Sequence, residues 1–119
     1  MDLINFIQSW TIWEHLYALN HKNTMSEREI YITSANEKID FILTHYFNIT
    51  TTIQSKSCVD RLVKARNRIL HFGKHPSTLT RNDILAFIRS TEALIAMTLD
   101  LSPSNVLNYK EKLDHLLFH

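Results

Sequence analysis

Glycine occurs once in these 119 residues and proline twice, against usual shares of roughly 7% and 5%. Tight turns are therefore scarce, which argues against a strand-rich sandwich, and one glycine cannot build a glycine-rich phosphate loop. Cysteine also occurs once, as Cys58. That excludes an internal disulfide and a cysteine-rich zinc site, and it suits a reducing compartment, so a cytoplasmic location is expected. No run approaches 18 apolar residues, the length a membrane-spanning helix needs. The opening MDLINFIQSWTIWEHL has neither a basic stretch nor a small-residue cleavage site, and Asp2 and Glu14 interrupt it. It does not read as a signal peptide, and the glycosylation sequon Asn48-Ile49-Thr50 accordingly reads as incidental. No serine lies in a nucleophile elbow.

What the chain does contain is helical periodicity. With 45% hydrophobic and 21% charged residues, it has the composition of one globular domain, expected to span residues 1–119. Leu3, Ile7, Trp10, Trp13, Leu16 and Tyr17 recur at three and four, which predicts a first helix from about Leu3 to His21. Ser26 and Glu29 have capping-box spacing and open a second helix, carried by Ile32, Ala35, Ile39, Ile42, Leu43 and Tyr46 to about Phe47. The β-branched stretch Asn48–Thr52 predicts a loop. A third helix is expected from about Ser57 to Phe72, with Cys58, Leu62, Ala65, Ile69 and Phe72 on its buried side and Gly73 as its left-handed stop. Thr80–Asp83 opens a fourth helix through Ile84, Phe87, Thr91 and Leu94 to Leu99, and Ser102-Pro103 caps a short fifth ending near Leu117. The expectation is an all-α, four- to five-helix up-down bundle.

The formal net charge is only +1, but it is segregated. Between Lys56 and Arg81 lie seven basic residues and a single acid, Asp60; the rest of the chain holds six basic and eleven acidic residues. Such a segment attracts polyanions, although a solvated basic face paired with acidic neighbours would give the same count.

Within that segment, Asn67 and His71 are four residues apart and roughly 40° apart around a helix, so they share a face. Arg66 precedes His71 by five residues, roughly 140° around and about 7.5 Å along the axis, so the two do not converge within one helix. A two-fold dimer could bring both to one cleft. An imidazole can take a proton from a ribose 2′-hydroxyl or give one to a departing 5′-oxygen, and a guanidinium can hold the phosphate and stabilise an in-line transition state without a metal. The plain alternative places His71 against the carbonyls of a helix C-terminus and leaves Arg66 a surface charge.

The string Leu62-Val63-Lys64-Ala65-Arg66-Asn67-Arg68-Ile69-Leu70-His71-Phe72-Gly73, on the third helix of a short helical chain, resembles the HEPN superfamily, in particular the HEPN domains of ApeA-like anti-phage proteins. The helix order fits as well, so the resemblance covers most of the chain. It implies a HEPN-type bundle working as a homodimer and a metal-independent endoribonuclease that leaves a 2′,3′-cyclic phosphate and a 5′-hydroxyl. His71 would be the acid/base, Arg66 the phosphate ligand and Asn67 the orienting residue. It further implies a role in prokaryotic defence or a toxin–antitoxin pair, with RNA as substrate and an antitoxin or a fused sensor domain as partner. The chain then reads as a free-standing toxin or as a domain of a longer protein. Some members of the superfamily lack catalysis, so a non-catalytic module for dimerisation and RNA or protein binding is the competing reading.

No cofactor or metal is expected. His71 and His75, and likewise His115 and His119, have the four-residue spacing of a helical metal pair, but Gly73 and Pro76 break the first and the second lies at a terminus. Glu14 is a candidate partner for Arg66 or His71, with a solvated edge position as the alternative. Phe6, Trp10, Trp13 and Tyr46 could stack on bases but at helical spacing read as core, and Cys58 reads as a buried hydrophobe.

Overall fold

A computed structural model describes residues 2–74, 78–101 and 109–118. Among them are six helices, α1 (Asp2–His21), α2 (Glu27–Ile32), α3 (Ala35–Phe47), α4 (Ile53–Phe72), α5 (Arg81–Thr98) and α6 (Tyr109–Phe118), and no strand. The all-helical expectation holds. The caps at Ser102-Pro103 lie outside the described residues, as do Val106 and Leu107 of the expected fifth helix.

Two boundaries differ from the sequence expectation. The second helix is not continuous: Thr33 and Ser34 both adopt extended backbone, and the Ser34 side chain accepts from the Glu37 amide, restarting the chain as α3. Apolar spacing ran through this break because Ile32 fits the period, yet Ile32 is exposed and α2 buries none of its residues. The reciprocal Ser26–Glu29 box at the start of α2 is present as expected. The third expected helix begins earlier, at Ile53, because Thr52 and Ser55 cap each other; the Thr52 amide donates to Ser55 Oγ at 2.7 Å. That extra turn buries Ser55. Thr80 and Asp83 form the same reciprocal cap on α5.

One core runs through α1, α3, α4, α5 and α6. α5 packs on α1 and α6, while α3 lies between α1 and α4. At its centre Phe6, Trp10 and Trp13 of α1 meet Phe87 of α5, with centroids 5.2, 5.9 and 4.9 Å from the Phe87 ring. Each ring removes a large apolar area from water, and tilted or offset pairs add about 0.5–1.5 kcal/mol beyond that burial. The aromatic residues of α1 are thus core, as their spacing suggested. On α4 the buried residues are Ser55, Cys58, Val59, Leu62 and Ala65. Phe72, expected on this side, is 69% exposed, roughly 80° around the helix from Leu62. Gly73 stops α4 in the left-handed region at φ 63°, its amide donating to the Ile69 carbonyl at 2.9 Å. Among the described residues no helix is long and apolar enough to cross a membrane.

Candidate functional site on the basic helix

α4 carries most of the excess positive charge, and its wheel sorts that charge into two environments. Lys64, Asn67, Arg68 and His71 fall within about 100° of one another on the outward side, with His71 roughly opposite Leu62 of the core. Lys64, Arg68 and His71 are exposed and Asn67 is half-buried. Arg66 instead lies on the flank that faces α1. Its guanidinium carbon sits 5.3 Å from the centre of the Trp10 ring, and its Nε is buried with no hydrogen-bond partner.

Three acids of the bundle, Glu14, Asp83 and Asp60, are engaged elsewhere. Glu14 faces α3, 3.5 Å from Lys38 Nζ, so it is not the partner of Arg66 or His71. Asp83 lies 4.0 Å from Arg61, which also donates to the Thr78 carbonyl at 3.4 Å. Asp60 accepts from the Asn36 side chain. Among the described residues, Lys64, Arg66, Arg68 and Lys74 make no ion pair. A basic face paired with its neighbours therefore accounts for Arg61 but not for these four. Unneutralised cations attract anions, Lys64, Arg68 and Lys74 from the exposed surface and Arg66 from beside the apolar core.

The three candidate residues are not brought to one point within a single chain. Asn67 and His71 share the outward face, yet the Asn67 amide makes no hydrogen bond to the imidazole among the described residues. The nearest ring to His71 is Phe72, edge-on at 6.5 Å. Arg66 is turned away from both. The feature that local spacing missed is Trp10, because an interhelical contact leaves no mark on the periodicity of either helix.

The remaining candidates have ordinary surroundings. Cys58 is buried, and desolvation pushes its thiol up to about 11, with Arg61 pulling down and Asp83 pushing up. It is an inert core thiol. His75 and His119 lie outside the described residues, and among those described no three His, Cys, Asp or Glu side chains gather as a metal set. A shallow apolar cleft of about 360 Å³ opens beside the site, lined by Leu3, Ile4, Ile7, Gln8, Ile69 and Gly73.

No protein-family model matches this chain, and no match is found among curated proteins or solved structures.

Proposed function

We propose that this chain is a HEPN-type, metal-independent endoribonuclease of prokaryotic defence or toxin–antitoxin type, acting on RNA as a homodimer. The observation that carries this reading is the state of Arg66. A guanidinium is drawn against α1 with no carboxylate to neutralise it, on the same helix as a solvent-facing histidine and the exposed cations Lys64 and Arg68, which make no ion pair.

In this reading a phosphodiester docks on Arg66. The ribose 2′-oxygen loses its proton to an imidazole and attacks the adjacent phosphorus in line; the bond to the 5′-oxygen breaks, and that oxygen leaves with a proton. The products are a 2′,3′-cyclic phosphate and a 5′-hydroxyl. Because His71 and Arg66 are roughly 140° apart on α4, a complete site needs one residue from each of two copies. Two copies also supply two imidazoles, one for each proton transfer. Asn67, on the His71 face, would orient the imidazole once the substrate or second copy covers it.

The test is incubation of wild type and His71→Ala with end-labelled RNA in excess EDTA, followed by analysis of the termini. Cleavage by wild type with cyclic phosphate ends, falling by about 10²- to 10⁴-fold in His71→Ala, is the expected result. His71 is exposed, so the substitution should leave stability within about 0.5 kcal/mol. Binding of RNA without cleavage by either protein would replace the enzyme reading with the binding module.

A further inference from the structure

One cation of α4, Arg66, is held against a ring. Arg66 has no ion pair, its Nε is sealed from water without an acceptor, and the Trp10 indole lies 5.3 Å from its guanidinium carbon. Trp10 is itself fixed, being 2% exposed and packed on Phe6 and Phe87 with centroids 6.2 and 5.9 Å away. A planar cation over an indole face is attracted by the ring quadrupole, most strongly where water is excluded.

We infer that Trp10 is a positioning residue for Arg66: it fixes the guanidinium plane so that the head can meet a phosphate only through its terminal Nη edge. A guanidinium offers two forked edges to a phosphate, one through Nε and one Nη, the other through both Nη nitrogens. Burial of Nε closes the first. The second remains for a substrate oxygen pair, and the indole pre-sets its angle, which lowers the entropy lost on binding. This rests on the ribonuclease reading for the identity of the phosphate, while the contact that does the positioning can be measured without RNA.

The experiment therefore has two arms. In the first, the Arg66 Nε–H signal is identified by nitrogen-15 NMR through its loss in Arg66→Lys. In wild type it should be shifted upfield by the indole ring current and protected from exchange with water. Trp10→Leu should abolish the upfield shift and speed exchange by at least about tenfold; Trp10→Phe should keep part of both. Phe87→Leu, which opens the same aromatic cluster from α5 but leaves Phe6 against Trp10, should move the signal less than Trp10→Leu does.

In the second arm, affinity for a 2′-O-methyl RNA, which cannot be cleaved through its 2′-oxygen, is measured for the same variants. Trp10→Leu should weaken binding by about threefold to tenfold, Trp10→Phe by less, and in an Arg66→Gln background Trp10→Leu should have no further effect. If the Nε–H signal is unmoved by Trp10→Leu, or moves equally in Phe87→Leu, the positioning role is overturned whatever the RNA arm gives. If the signal behaves as expected but RNA affinity ignores Arg66, the contact stands, while the phosphate role of Arg66, and the ribonuclease reading with it, is overturned.

Discussion

The indole N–H of Trp13 on α1 donates to the Thr91 hydroxyl on α5 at 2.7 Å, and that hydroxyl donates in turn to the Phe87 carbonyl at 2.8 Å. Trp13 is stacked on Phe87 and Phe47, and both partners of the hydrogen bond are buried. A donor inside an aromatic cluster has no water to fall back on, so it depends on one hydroxyl. This bond locks the register of α1 against α5, and with it the position of Trp10 one turn earlier.

Thr91→Val keeps the shape of the side chain and deletes the acceptor. Leaving the indole N–H unpaired should cost about 1–3 kcal/mol, read as a lower urea midpoint at unchanged slope. In a Trp13→Phe background, which has no N–H to strand, the same substitution should cost clearly less. Equal costs in the two backgrounds would show that the hydrogen bond is not what Thr91 contributes.

Asp40 on α3 should make stability fall as pH rises. Burial raises its carboxyl above the ordinary 3.8, with Lys56 pulling it down and Asp60 pushing it up, and its Oδ1 has no hydrogen-bond partner. A carboxyl raised in the folded state holds its proton more tightly there than in the unfolded chain. It therefore opposes folding once ionised, and the penalty fades as pH falls through the folded value. Asp40→Asn removes the titration. Thermal melts should show the variant more stable than wild type at pH 7, with the difference shrinking toward about pH 3; a constant difference across that range would discount the charge.

Cys58 should behave as a core thiol. It is 1% exposed and its thiol is pushed up to about 11, so a disulfide reagent at about pH 8 meets neither an accessible sulfur nor a thiolate. Labelling of the native protein should proceed only as fast as the bundle opens, and should be complete within minutes in urea. Rapid native labelling would place Cys58 outside the core.

The helices were legible where sequence carries local signals. The α1 stripe, the Ser26–Glu29 and Thr80–Asp83 caps and the Gly73 stop each follow from chemistry within four residues. The errors arose where two local signals competed. Ile32 continued the apolar period across Ser34, whose hydroxyl ends that period by capping α3, and Thr52 begins α4 with a serine at the position where a capping box usually has Glu or Gln. Phe72 is exposed although Gly73, one residue on, borders Leu3, Ile4 and Ile7 of α1, so its burial is decided by interhelical packing, which its own spacing does not encode. At the site, the shared face of Asn67 and His71 followed from the 100° step. The Arg66–Trp10 contact joins residues on different helices, so only the packed bundle could reveal it.

Phe72 offers a direct test of the composite site. It is 69% exposed, adjacent to the Gly73 stop, and its ring lies 6.5 Å from the His71 imidazole, steeply inclined to it. If Arg66 of a second copy must reach His71, the surface around that imidazole becomes interface, and an exposed phenylalanine there gains by being covered. Phe72→Glu places a charge in that interface while disturbing no buried contact, so the monomer should stay within about 0.5 kcal/mol of wild-type stability. Sedimentation should show wild type as a dimer and Phe72→Glu as a monomer, with RNA cleavage lost in parallel. Tyr31→Glu is the control, since Tyr31 is 85% exposed on α2, a helix that buries nothing; it should leave assembly and cleavage intact. A Phe72→Glu protein that cuts RNA as a monomer would mean that Arg66 and His71 meet within one chain, and the two-copy site would have to be abandoned.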